Sequence, residues 1–156
     1  MTTVDLYDED FYLWTQTQAE ALRAEARRRG AAGGGSNAID WVNLAEEVGD
    51  LGKSDLRECL SRARTIIEHL MKLSASARTE PRGGWLVTVK TQREDLKLVL
   101  TTSLRKRVSG KLPALHLAAR DIVQTAFAAE EPGAVVDHAQ AWSLASILGE
   151  ADDPIA

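Results

Sequence analysis

The residues with chemistry to offer sit at helical spacing in one stretch of this 156-residue chain. Asp40 and Glu47 stand two turns apart on one edge of a helix, whereas Glu46 points more nearly to the opposite side. Asp55, Arg62 and His69 repeat the seven-residue step in the following stretch. If the two stretches fold back on each other as an antiparallel hairpin, these edges meet. One outcome is a structural seam, with Arg62 on Glu47 and His69 on Asp40. Such a seam would raise the His69 pKa, because a neighbouring carboxylate favours the imidazolium. The other outcome is a metal or acid–base site built from Glu47, His69 and one further ligand. Helical bundles build such sites with Glu-x-x-His on one helix, but Ile66 occupies the position three before His69. His116 and His138 lie far along the chain. The seam is therefore the favoured expectation, with a partner-binding edge as a third outcome beside the site. No metal and no cofactor are expected, Glu47 and His69 being the sole candidates for metal ligation. Nucleophilic catalysis has less support: Cys59 falls near an apolar stripe, and no serine sits in a recognisable nucleophile turn.

The elements that position these groups read as an all-α, single-domain bundle of about five helices spanning residues 1–156, centred on the hairpin. The hairpin covers 39–77. Its first arm carries Trp41, Leu44, Ala45, Val48 and Leu51 behind a capping Asp40, and Gly52-Lys53 is read as the turn. Its second arm starts at Ser54 and carries Leu56, Leu60, Ala63, Ile67 and Leu70. A first helix is expected over 7–29, with Asp8 as cap and Glu9 and Asp10 in the first turn. A glycine-rich connector follows over 30–38. Two further long helices occupy 85–130. In the first, Gln92 falls inside the apolar stripe and so predicts a polar contact within the bundle. The second keeps one phase across Gly110 and Pro113, which argues for one long, kinked helix, although Pro113 would allow a break instead. Ser143 caps a short last helix over 143–149, and the tail ADDPIA is expected to fray. Trp14, Trp41 and Trp85 lie near helix starts or faces and read as structural staples.

The net charge of −4 conceals a segregation. Residues 1–52 set four arginines against ten acids, residues 53–111 fourteen Lys or Arg against six acids, and residues 112–156 one arginine against seven acids. The basic middle could face nucleic acid. Neutralisation by the acidic flanks of the same fold is favoured, because acids remain mixed among those bases. No apolar run approaches the roughly 20 residues of a membrane span. The acidic start MTTVDLYDEDFY is unlike a secretory signal, and a lone cysteine builds no disulfide framework. A cytoplasmic location is expected.

Several of these motifs together resemble a known bacterial family, domain of unknown function 29. They are YDEDFYLW (7–14), IDWVNLAEEVGDLGKS (39–54), HLMKL (69–73), Trp85 followed by Gln92-Arg93, and SLR (103–105). The resemblance spans about residues 7–150. It implies a small all-helical cytoplasmic protein and brings no activity with it. The chain departs from the family's usual look at the glycine connector, at His116 in place of a tyrosine, and at Trp142-Ser143 in place of a proline-tyrosine-threonine signal.

The function expected from these readings is a non-enzymatic helical interaction module, acting with itself or with another protein. The residues expected to form its polar seam or site are Asp40, Glu46, Glu47, Arg62, His69, Gln92 and Arg93. A metal-dependent hydrolase at Glu47 and His69 is the alternative, and nucleic-acid binding through 53–111 is a second one. No membrane partner is expected.

Overall fold

The structure, a computed structural model, describes residues 3–32 and 38–156. Among the described residues there are six helices and no strand: α1 (Thr3–Glu9), α2 (Phe11–Ala32), α3 (Trp41–Ala75), α4 (Arg82–Val99), α5 (Thr102–Glu130) and α6 (Leu144–Ile147). The all-α class read from the helical periodicity holds. Residues 33–37 of the glycine connector lie outside the described residues.

The expected hairpin over 39–77 does not form, because α3 runs unbroken through Gly52 and Lys53. One glycine inside a helix costs about 1 kcal/mol relative to alanine, too little to end a helix whose buried face continues on both sides. That face is Ala45, Gly49, Gly52, the half-buried Leu56, Cys59 and Ala63, then Ile66, Leu70 and Leu73. The steps alternate between four and three, so the glycines are members of the stripe rather than interruptions of it. The face expected from the large residues was displaced: Leu44 and Leu51 are 41 % and 53 % exposed.

The chain divides into two compact units. The first takes in the described residues up to Arg57, together with Thr101–Leu104. Here α1 and α2 are separated by Asp10 alone, a break the expected helix over 7–29 did not contain. Tyr7, Phe11 and Trp14 form an aromatic cluster across that break, with Phe11 and Trp14 stacked at 5.6 Å. An alanine Cβ at Gly52 would collide with the Thr15 hydroxyl, and one at Gly49 would touch Ala19 at 3.4 Å. Further along, the Arg29 guanidinium lies 4.6 Å from the Trp41 ring centroid. Ascending α2 therefore meets descending α3. The antiparallel hairpin of this unit is α2 with the start of α3, one connection earlier than the sequence suggested.

The second unit takes in Glu58–Leu100 and Arg105–Ala156. Ile66, Ile67, Leu70 and Met71 of α3 are buried there, as are Val89 and Leu96 of α4, Val123 and Phe127 of α5, and Ile147 and Leu148 near the chain's end. α5 passes through Pro113, as the unbroken phase predicted. Leu112 and Ala119 stay buried on either side of an exposed Pro113. The end of α3 is closed by side chains from elsewhere. Arg82 Nη1 donates to the Leu73 carbonyl at 3.0 Å, and Glu131 accepts from the Ser76 hydroxyl at 2.5 Å and the Ala77 N–H at 3.1 Å.

Candidate functional site

Val89, Arg93 and Leu96 form the buried face of α4, so an arginine stands where the helical period calls for a hydrophobe. A guanidinium at 9 % exposure requires partners for its donors. Arg93 Nε donates to the Ile147 carbonyl at 2.7 Å and Nη2 to the Ser146 carbonyl at 3.3 Å. The fork also grips Asp153 in bidentate fashion, Nη2 to Oδ1 at 2.8 Å and Nη1 to Oδ2 at 3.1 Å. The Arg93 hydrogen bonds hold the Asp153 carboxyl below the usual carboxylate range, against a smaller opposing effect of burial.

The carbonyls that Arg93 reaches belong to the end of α6. Ser143 caps its start as expected, accepting the Ser146 N–H at 3.1 Å. Its other end is a Schellman turn: Glu150 N–H donates to the Ala145 carbonyl, Gly149 N–H donates to the Ser146 carbonyl, and Gly149 has φ +71°. A Cβ at Gly149 would also stand 2.8 Å from Arg93 Nη1, so this position needs glycine twice over. The tail expected to fray is instead pinned at Asp153, and Arg105 donates to Glu150 at 2.6 and 3.0 Å. These pairs join the basic middle to the acidic end of the chain, the neutralisation that the mixed charges suggested.

Two clefts flank the pinned tail, both touching Leu86 and Ile155. One, of about 380 Å³, is lined by Lys90, Lys97 and Leu148. The other, of about 450 Å³, is lined by Leu70, Leu73, Arg82 and Trp142. The Arg105 hydrogen bonds lower the Glu150 pKa as those of Arg93 lower that of Asp153, and the charge of Lys97, on the wall of the first cleft, adds a smaller effect at both.

Of the residues singled out from the sequence, Arg62, Gln92 and Arg93 enter cross-element contacts in this unit. Arg62 Nη1 donates to Gln92 Oε1 at 3.2 Å and to Asp95 Oδ2 at 2.9 Å, and its Nε donates to Glu58 at 3.0 Å. The polar contact predicted for Gln92 is therefore present, with Arg62 as partner. The expected Arg62–Glu47 and His69–Asp40 pairs depended on the hairpin turn and are replaced. Asp40 caps α3, accepting the Asn43 N–H at 3.1 Å. His69 Nδ1 stands 2.9 Å from the Thr65 carbonyl of its own helix. Burial pushes the His69 pKa down, with the Thr65 hydrogen bond opposing, so the expected upward shift is reversed in sign. Glu47 is exposed, and about six turns of one helix separate it from His69. Glu46 lines a cleft of about 470 Å³ in the first unit with Arg23, Arg27, Val42 and Lys53. Among the described residues no group of three or more His, Cys, Asp or Glu is placed to hold a metal ion. Trp14, Trp41 and Trp85 are all half-buried.

His116 is buried, with both ring nitrogens in use. Nδ1 lies 2.8 Å from the Leu112 carbonyl and so carries the proton, while Nε2 accepts the Trp142 N–H at 2.9 Å. His116 and Trp142 thus touch each other, their ring centroids 5.9 Å apart. Sequence reasoning missed Glu150, Asp153 and Gly149. The available signal was a glycine just past a serine-capped helix, which marks a C-terminal turn.

An all-α protein with a pinned C-terminal segment is what these elements define. The chain belongs to the family described as domain of unknown function DUF29, whose model matches residues 6–150. It is similar in structure to an α-helical protein of unknown function from Rhodospirillum rubrum, solved by crystallography. The TM-score is 0.78 at 24 % identity, covering 96 % of this chain and 92 % of the other, which is a likeness of fold. No curated protein matches the chain. No helix among the described residues is long and apolar enough to cross a membrane.

Proposed function

We propose that this chain is a helical protein-interaction module rather than an enzyme, acting with itself or with another protein. The observation that carries the reading is the outer face of α4, where Val87 and Leu98 are 65 % and 85 % exposed. Eleven residues apart, they fall on nearly the same line of the helix, about three turns from each other. Single exposed aliphatics are ordinary. Here two share one helix face, with Leu86 and the tail clefts on the same element. The groups offered for catalysis support the reading by what they do instead. His69 is hydrogen-bonded to a backbone carbonyl of its own helix, and Glu47 stands exposed about six turns away from it.

Sedimentation velocity over a concentration series, together with quantitative co-purification, tests this on the full chain. The double variant Val87→Glu/Leu98→Glu is expected to lose a self-association or a co-purifying protein that the parent shows. A parent that associates with nothing, or an association indifferent to both substitutions, would sink the reading.

A further inference from the structure

We propose that residues 150–156 are a tethered occupant of a peptide-binding groove in the second unit. The groove would accept, in trans, an acidic–aliphatic peptide of the same pattern: a carboxylate two residues before a branched aliphatic side chain. This rests on the interaction-module reading and names the surface and the chemistry of its partner.

The two clefts of about 380 and 450 Å³ share Leu86 on one wall and Ile155 on the other. They are the parts of one trough left open on either side of the tail. The floor is aliphatic, with Leu70, Leu73 and Leu148. The rim is cationic, with Arg82, Lys90 and Lys97 against Glu94, and the buried Arg93 adds its charge from within the first cleft. Ile155 lies between the clefts, and the carboxylates before it carry the complementary charge: Asp153 sits on the fork of Arg93, which lines the first cleft, and Glu150 is held outside both clefts by Arg105. Charge complementarity thus selects an acidic occupant, and the floor selects an aliphatic one.

The tail is held at two charged points and a half-buried isoleucine, with Gly149 as the joint behind it. A tethered occupant competes with a free peptide on the terms of effective concentration. Occupancy of nine-tenths in cis weakens the apparent affinity of a trans ligand about tenfold.

The probe is a fluorescein-labelled peptide of sequence LGEADDPIA, titrated by polarisation against the full chain and its full-length variants. The tail-loosening variant Asp153→Asn/Ile155→Ser is expected to bind it about tenfold more tightly than the parent. Adding Lys90→Glu and Lys97→Glu should abolish that binding, as should a control peptide with serine for isoleucine and asparagine for the second aspartate. A second measurement needs no variant. Excess peptide added to the parent should speed amide exchange at residues 150–156 by displacing them. Equal affinity of parent and loosened chain, binding that survives the lysine reversals, or unchanged exchange at the tail would each overturn the groove. A failure here beside an association lost in Val87→Glu/Leu98→Glu would leave the interaction module standing and remove only this surface. Failure of both would remove the module as well.

Discussion

Asp10 Oδ2 accepts the backbone N–H of Ser103 at 2.9 Å, across 93 residues of chain, while its Oδ1 accepts the Leu13 N–H at 3.1 Å. One carboxylate therefore serves the first turn of α2 and the first turn of α5. Thr101, the residue before α5, donates its hydroxyl to Asp10 Oδ1 at 2.9 Å and accepts the Leu104 N–H at 3.3 Å. Two helix N-termini, each with unpaired N–H groups and a partial positive charge, converge on a single buried anion.

Removing that anion should cost more than one cap. Capping residues contribute about 1 kcal/mol each, so Asp10→Ala is expected to lose about 2–3 kcal/mol. Asp10→Asn, which keeps one acceptor and turns a donor toward the other N–H, should fall in between. Burial by itself would raise the Asp10 pKa, but the hydrogen bonds from Leu13, Ser103 and Thr101 together outweigh it and the pKa is lowered. The stability this supplies is present above the unfolded value of about 3.9 and is lost as pH falls through the folded one. Chemical denaturation of parent and Asp10→Asn at pH 7 and pH 3 checks this. A gap that does not narrow in acid would show that the charge is not what matters.

How far the sequence could be read depended on the distance between partners along the chain. Asp40 and Ser143 were recognised as caps because each accepts from an N–H only three residues on. Asp10 was read as an ordinary first-turn acid, because its second helix lies 93 residues away. Arg93 was flagged, yet Asp153 was not, since nothing local ties positions 60 apart. Gly52 misled for a different reason. A glycine reads as a breaker by propensity, whereas its role here is close approach of two backbones, which depends on what packs against it. The helical class and the long α5 survived both difficulties, because a seven-residue rhythm sustained over many turns outweighs any one residue.

Gly52→Ala sets those two effects against each other. Alanine gains about 1 kcal/mol of helix propensity over glycine. Against this, its Cβ would overlap the Thr15 hydroxyl and stand 2.8 Å from Gln16 Nε2. Overpacking of a close helix contact costs about 1–3 kcal/mol, so the net is expected to be destabilising. Gly110→Ala meets nothing within 4 Å and should be neutral or stabilising. Thermal melts of the pair decide it. A Gly52→Ala variant that melts higher than the parent would show that α2 and α3 are not in close contact there.

His69 makes a prediction of definite sign. Its folded pKa lies below the unfolded value of about 6.5, burial being the first cause and Lys72 adding to it, with Thr65 and Glu68 opposing. A histidine disfavoured as the cation binds its proton more readily unfolded. It therefore costs no stability above pH 6.5 and costs progressively more as pH falls toward the folded value. His69→Gln should be comparatively less sensitive than the parent over that window. Denaturation midpoints at pH 7.5 and pH 5.5 measure it, and NMR titration of the ring gives the pKa directly. A pKa above 6.5 would restore a carboxylate partner and reject the burial account.

Arg93 offers the sharpest test of how the C-terminal segment is held. Its three acceptors, the Ile147 and Ser146 carbonyls and the Asp153 carboxylate, lie in the directions a planar fork can serve at once. An ammonium is a point charge without that geometry. Arg93→Lys should therefore forfeit most of what Arg93→Ala forfeits, about 2–4 kcal/mol, because the buried Ile147 carbonyl would lose the guanidinium donor and Asp153 its bidentate partner in both. The Gly149 and Glu150 amides close the Schellman turn behind the fork. Their hydrogen exchange should accelerate in both variants, while the α3 amides from Ile66 to Met71 should change less. Asp153→Asn in the Arg93→Lys background should add little, since the bidentate pair is already gone. If Arg93→Lys keeps the parent's stability and the Gly149 and Glu150 amides exchange at the parent's rate, charge alone holds the segment and the fork does not.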